Sequence, residues 1–130
     1  MTAKQKPSIL IVDDDKFLLD MYAIKFVQSD FDVTTALGSL DALTRLREGL
    51  APDVIVTDVL MPAMDGFEFL EILMKEKLGG KARTIVLSNK GEKSDIDRGI
   101  ALGASGYIVK ASAIPSEVVA KVREILKIKN

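Results

Sequence analysis

Five short apolar runs alternate along the chain with five longer stretches in which apolar residues recur at helical spacing. The runs are Ile9-Leu10-Ile11-Val12, Phe31 to Ala36, Val54-Ile55-Val56, Thr84-Ile85-Val86-Leu87 and Tyr107-Ile108-Val109. Unbroken apolar runs of this length are what strands covered on both faces show. The second run, Phe31-Asp32-Val33-Thr34-Thr35-Ala36, is the least apolar and is expected at a sheet edge. The spacing predicts a first helix from about residue 15 to about residue 28, with Leu18, Met21, Tyr22 and Phe26 on one face. A second helix begins at Gly38-Ser39, with Ser39 as its cap and Leu43, Leu46 and Leu50 in the core. Phe69, Leu70 and Leu73 mark a third, and a fourth carries Ile96 and Ile100 and stops at Gly103. Pro115 suits the first turn of the last helix, which turns Val118, Val122, Ile125 and Leu126 inward. Strand then helix, five times over, predicts an α/β three-layer sandwich: a five-stranded parallel sheet with right-handed crossovers and helices on both faces.

At 130 residues the chain has the length of one ordinary domain. Residues 1–7 read as a short polar lead and 8–128 as the domain, with no linker, repeat or low-complexity segment. Lys plus Arg total 18 and Asp plus Glu total 19, a balance that predicts neither direct nucleic-acid binding nor an anionic membrane as partner. There is no cysteine, which excludes disulfides and thiol chemistry. There is no histidine either, which excludes a Ser-His triad, a histidine base and a phosphohistidine. No apolar run approaches the ~20 residues of a membrane span. The lead lacks the apolar core of a signal peptide, so a cytoplasmic location is expected.

The residues with chemistry stand where strands end. Asp13-Asp14-Asp15 follows the first strand, Asp58 the third, Ser88 the fourth and Lys110 the fifth. In an open parallel sheet those carboxyl ends face one crevice, so groups far apart in sequence converge. Asp58 opens the loop Val59-Leu60-Met61-Pro62-Ala63-Met64-Asp65-Gly66, whose Pro62 and Gly66 fix its path. A carboxylate so placed can be a nucleophile or a metal ligand. Asp13, Asp14 and Asp58 would put three carboxylates together, which is costly unless a cation bridges them. Hard oxygen ligands suit Mg²⁺. Asp15 is expected at the start of the first helix, where a negative charge is favoured.

Ile11-Val12-Asp13-Asp14-Asp15, Asp58-x-x-Met61-Pro62-x-Met64-Asp65-Gly66, Leu87-Ser88 and Gly103-Ala104-Ser105-Gly106-Tyr107-Ile108-Val109-Lys110 stand in order over nearly the whole chain. In this the sequence resembles the receiver domain of two-component response regulators, in the manner of the single-domain chemotaxis regulators. The resemblance implies a flavodoxin-like (βα)5 fold with strand order 2-1-3-4-5. It implies that Asp58 accepts a phosphoryl group from a histidine kinase or phosphotransfer protein, with Mg²⁺ as cofactor. Asp14, Asp58 and the backbone carbonyl of Leu60 would ligate the metal directly and Asp13 through water. Lys110 would supply a second cation and Ser88 a hydroxyl to the phosphoryl oxygens. Ser88 and Tyr107 would act as switch residues for the surface of helix 4, strand 5 and helix 5. Such a protein is a phosphoacceptor switch that promotes its own phosphorylation and dephosphorylation, not an enzyme acting on other molecules. Its output would be a partner protein or a fused effector domain, with no membrane contact. The chain leaves no room for a DNA-binding output domain, so it signals by protein contact or is a piece of a longer regulator. Phe17, Ile24 and Val27 give the first helix more apolar surface than one packed stripe needs, which suits docking of the phosphodonor protein.

Three departures from the family pattern carry consequences. Ala111 stands after Lys110, where the family usually has proline, often with a cis bond. A cis bond before a non-proline costs ~3 kcal/mol. Either the loop is trans and Lys110 is placed differently, or that cost is borne. Asn89 follows Ser88 where a small residue is common, and narrows access to the phosphoryl site. Leu60 and Lys90 occupy positions that in the family flank the route of the attacking water. The alternative is an Mg²⁺-dependent phosphatase of the haloacid-dehalogenase type, which needs Asp-x-Asp-x-Thr or Val. Asp13-Asp14-Asp15-Lys16-Phe17 ends in Phe17, and Asp58-Val59-Leu60 lacks the second acid.

Overall fold

The computed structural model describes residues 6–127. Met1 to Gln5 of the expected lead, and Ile128 at the expected end of the domain, lie outside the described residues. The strands are β1 (Ser8–Asp13), β2 (Asp32–Leu37), β3 (Val54–Thr57), β4 (Arg83–Ser88) and β5 (Gly106–Val109). The helices are α1 (Lys16–Gln28), α2 (Ser39–Arg47), α3 (Gly66–Glu76), α4 (Lys93–Ala101) and α5 (Pro115–Leu126), and a short 3₁₀ turn spans Lys110–Ser112. All five strands are parallel, in the order β2-β1-β3-β4-β5. The less apolar β2 lies at an edge, where its outer side is left to solvent.

Alternation along the strands builds two cores. Ile9, Ile11, Val54, Val56, Ile85 and Leu87 point to one face and pack with Leu19, Tyr22 and Phe26 of α1 and Val118, Val119 and Val122 of α5. Leu10, Val12, Ile55 and Val86 point to the other and meet α2 and α3. That is the period of two expected of a pleated strand, with both faces apolar because both are covered. The α4 helix is held differently. Its buried residues are Asp95 and Gly99, with no large apolar side chain among them. Ile96 is half-buried and Ile100 is exposed. Arg98 lies over the ring of Phe67, 4.4 Å from its centre, and supplies a cation–π contact in place of an aliphatic anchor.

The register sets the crevice. Val12 pairs with Thr57, Thr57 with Val86, and Ser88 with Val109. Asp13 and Asp58, each one residue beyond a paired position, therefore come side by side at the carboxyl edge of the sheet.

Two local expectations are corrected. On α1 it is Leu19, with Tyr22 and Phe26, that is buried, while Leu18 and Met21 are only half-buried. Apolar residues surround this helix, so their spacing marks no single face. Ser39 is not a cap: Gly38 caps α2, at φ +91°, and the Ser39 hydroxyl donates to the Met64 carbonyl at 2.7 Å. It thereby ties α2 to the loop that follows Asp58. Leu50, Ile125 and Leu126 are half-buried and pack against the cores as expected. Pro115 opens α5, and Asp15 caps α1 by accepting the Leu18 N–H at 3.2 Å.

Candidate functional site

Asp58 leaves β3 with its N–H still donating to the Val12 carbonyl at 3.1 Å, so its backbone is held by the sheet. The residue is 8% exposed. Oδ1 accepts the Val59 N–H at 2.6 Å and faces the Leu60 N–H at 3.4 Å, while Oδ2 accepts from Lys110 Nζ at 2.9 Å. Asp13, 4% exposed, accepts the Asp15 N–H on Oδ1 and the same Lys110 Nζ on Oδ2 at 2.9 Å. One ammonium thus bridges two buried carboxylates. Asp14 is exposed, yet one carboxylate oxygen from each of Asp13, Asp14 and Asp58 lies within 4.8 Å of the others.

The electrostatics follow from that packing. Burial raises the Asp13 carboxyl above its ordinary value, against the pull of the Asp15 N–H and Lys110, which favour the charged form. For Lys110 burial acts to lower the value, but the hydrogen bonds and charges of Asp58 and Asp13 outweigh it and hold the ammonium above its ordinary range. The lysine is therefore charged at neutral pH, with two anions to serve. Three carboxylates against one ammonium leave an excess of negative charge, and the donor set is entirely hard oxygen. That set fits Mg²⁺.

The loop after Asp58 folds back on itself. Gly66 donates its N–H to the Val59 carbonyl at 2.9 Å, and a Cβ at position 66 would stand 2.1 Å from the Asp58 carbonyl oxygen. Only glycine lets α3 start this close to the strand that leads into Asp58. Asp65 caps that helix by accepting the Glu68 N–H, and the Glu68 carboxylate in turn accepts the Asp65 N–H. Leu60, between the two, exposes 59% of its surface.

No peptide bond among the described residues is cis, so Lys110–Ala111 is trans. Lys110 nevertheless reaches both carboxylates, because the chain enters the 3₁₀ turn directly at residue 110. Ser88 is fully buried and its Oγ accepts the Lys90 N–H at 3.2 Å, which leaves the hydroxyl proton free to be donated. Tyr107 is half-buried and donates its hydroxyl to the Lys90 carbonyl. Its ring rests against Gly99 of α4, where a Cβ would come within 3.0 Å of the ring. The Lys90 ammonium pairs with Asp95 at 3.5 Å.

A model described as the response regulator receiver domain matches residues 9–123. The chain belongs to the response regulator receiver family. As a receiver domain it is a switch of two-component signalling, in a family characteristically phosphorylated on an aspartate. It is 36% identical over 119 residues to the alkaline phosphatase synthesis transcriptional regulatory protein PhoP of Bacillus subtilis, covering 92% of this chain and 48% of PhoP. It is 32% identical over 121 residues to the phosphate regulon transcriptional regulatory protein PhoB of Rhizobium meliloti, covering 93% of this chain and 52% of PhoB. The chain spans about half the length of these curated relatives. Among solved structures, the receiver domain of the Francisella response regulator 1452 superposes with a TM-score of 0.83 at 30% identity, over 93% of this chain and 97% of that one. The chemotaxis response regulator CheY4 of Vibrio cholerae gives a TM-score of 0.83 at 26% identity, over 93% and 99%. The flavodoxin-like strand order expected of the family is the one found.

The structure brings Asp13, Asp14, Asp58 and Lys110 together, sets Ser88 at the end of β4 and places Tyr107 within β5, opposite Val86. Sequence reasoning did not single out Asp95. An acid in the first turn of a helix is common, and its partner lies across the loop rather than one helical turn away. Nor did it anticipate that Tyr107 meets a main-chain carbonyl, an acceptor every residue carries. Among the described residues no helix is long and apolar enough to cross a membrane.

Proposed function

We propose that Asp58 is the phosphoacceptor of this receiver domain and that a histidine kinase or phosphotransfer protein is the donor. The observation that carries this reading is the Lys110 ammonium, shared at 2.9 Å between the buried carboxylates of Asp13 and Asp58. An Asp58 oxygen attacks the donor's phosphorus and the donor's nitrogen–phosphorus bond breaks, leaving an acyl phosphate. Hydrolysis of that bond returns the carboxylate and inorganic phosphate. Such a transfer needs positioning and charge neutralisation more than covalent help. The sheet and the Val59 N–H position Asp58; Lys110 neutralises; the free hydroxyl proton of Ser88 is available to a phosphoryl oxygen. Asp13, Asp14, Asp58 and the Leu60 carbonyl are the groups that would hold Mg²⁺, which when bound supplies further positive charge for the phosphoryl oxygens.

Phosphorylation adds roughly −1.5 to −2 in charge if it behaves as on other side chains. Ser88 and Tyr107 are the residues placed to respond. Both bond the main chain of Lys90, and α4, beside them, is anchored by little apolar burial. Elements so anchored are drawn from the low-stability end of a fold. The α4-β5-α5 surface is therefore the output face, offered to a partner protein or to an effector domain fused to the chain. Phe17, 77% exposed, with Ile24 and Val27 on the same helix, forms the face that receives the donor protein. The test is chemical. A small phosphodonor with Mg²⁺ should give a phosphoprotein that hydroxylamine cleaves, as it cleaves acyl phosphates. A hydroxylamine-stable phosphate would place the modification on a hydroxyl and overturn the reading.

A further inference from the structure

Residue 90 joins three parts of the switch. Its N–H donates to Ser88 Oγ at 3.2 Å, its carbonyl accepts the Tyr107 hydroxyl, and its ammonium meets Asp95 Oδ1 at 3.5 Å. Asp95 is buried, and its Oδ2 accepts the Glu92 N–H at 3.1 Å. The carboxylate therefore clamps both ends of the short segment between β4 and α4: the lysine at one end and the first turn of the helix at the other. The Tyr107 ring lies on the same helix, against Gly99.

We propose that Asp95 is a positioning residue of the switch, which fixes the main chain of Lys90 and through it the place of Tyr107. The proposal rests on the reading of Tyr107 as a switch residue and deepens it. Its logic is that of a hydrogen bond whose acceptor must stand still. The Tyr107 hydroxyl has a carbonyl to meet only while residue 90 is held, and the side chain of residue 90 is held by Asp95 alone among its described ion-pair partners. Burial first, then the charges of Asp95 and Asp58, push the Tyr107 phenol up to about 12, so it stays a donor throughout the neutral range.

The test reads Tyr107 directly, without any phosphodonor. The chain has two tyrosines, so ring-labelled protein gives two sets of tyrosine NMR signals, assigned with Tyr107→Phe. Asp95→Asn keeps an oxygen for the Glu92 N–H but loses the ion pair. It should move the balance between bonded and released Tyr107 by about threefold, the scale of a half-exposed ion pair. Lys90→Met should do the same, and the double variant should do no more than either alone. Lys90→Arg should keep the wild-type signal. Unchanged Tyr107 signals in Lys90→Met, or summed effects in the double variant, would overturn the proposal. Lys90→Met changes a side chain at the surface and decides the matter even if Asp95→Asn fails to fold. Because no phosphoryl group is involved, a failure here leaves Asp58 as acceptor untouched, and loss of the acceptor reading leaves these signals interpretable.

Discussion

Replacing Gly66 by alanine adds one methyl group at the tightest backbone approach in the site. The new Cβ would stand 2.1 Å from the Asp58 carbonyl oxygen and 2.8 Å from Val59 Cα, where ordinary contact begins at 3.4 Å. One chain or the other must retreat by roughly 1.3 Å. Neither is free to do so. Gly66 N–H bonds the Val59 carbonyl at 2.9 Å and Asp58 N–H bonds the Val12 carbonyl at 3.1 Å. Crowding of this kind costs about 1–3 kcal/mol, and weakening one of those bonds about 1 kcal/mol more. Alanine returns up to ~1 kcal/mol through helix propensity and a less disordered unfolded chain. The net is a loss of about 2 kcal/mol, or a fall in Tm of about 8 °C for a domain of this size. Phosphorylation should suffer more than stability, because a displacement of ~1 Å at a reacting group can cost about a hundredfold in rate. Thermal unfolding and the rate of labelling by a small phosphodonor measure the two effects. Gly49→Ala is the control. Its φ of +109° strains alanine but nothing lies within 4 Å, so it should lower Tm and leave labelling unchanged. An unaltered Tm and labelling rate in Gly66→Ala would refute the reasoning.

Lys110→Met leaves two buried carboxylates without their shared cation and should cost roughly 3–5 kcal/mol at neutral pH, measured by urea unfolding. Because Lys110 sits above its ordinary value of 10.5 when folded, its charge is complete below that pH and is lost as pH rises through the folded value; on the alkaline side the gap between wild type and variant should close only there. A gap that closes near neutrality would contradict this. Leu60→Asn should speed loss of the phosphoryl group about fivefold, or ~1 kcal/mol of barrier, by giving the attacking water a partner beside Asp58; equal decay rates would show that Leu60 does not gate the water. Phe17→Ala should slow transfer from a cognate kinase about tenfold while leaving labelling by a small phosphodonor unchanged, the size of loss expected for an exposed aromatic anchor. Equal transfer rates would remove α1 from the docking face.

The parts of this molecule legible in its sequence are those set by repetition and by strand ends. Apolar runs marked four of the strands and a mixed, β-branched run the edge strand β2, and Asp13, Asp58, Ser88 and Lys110 each fell at the carboxyl end of a strand, which parallel geometry then gathered at one edge. Strand order came from the family resemblance, since alternation alone permits several. What stayed hidden depended on which way a side chain turned. α1 is apolar nearly all round, so Leu18 and Leu19 could not be ranked by spacing, and packing against β1 and α5 chose Leu19. Ser39 has the right chemistry for a cap, but Gly38 at φ +91° takes that place and frees the hydroxyl for Met64. The trans bond after Lys110 shows that reach to Asp58 does not require the usual proline, because a 3₁₀ turn can begin at the lysine itself.

The central claim is that Asp58, among the aspartates at this sheet edge, takes the phosphoryl group. Intact-mass spectrometry of the wild type and of Asp58→Asn, each incubated with the same small phosphodonor and Mg²⁺, tests it most directly. The wild type should gain the mass of one phosphoryl group, mapped to the peptide that contains Asp58, and the variant should gain none. An equal gain in Asp58→Asn, or a wild-type phosphate mapped to Asp13 or Asp14, would contradict the account.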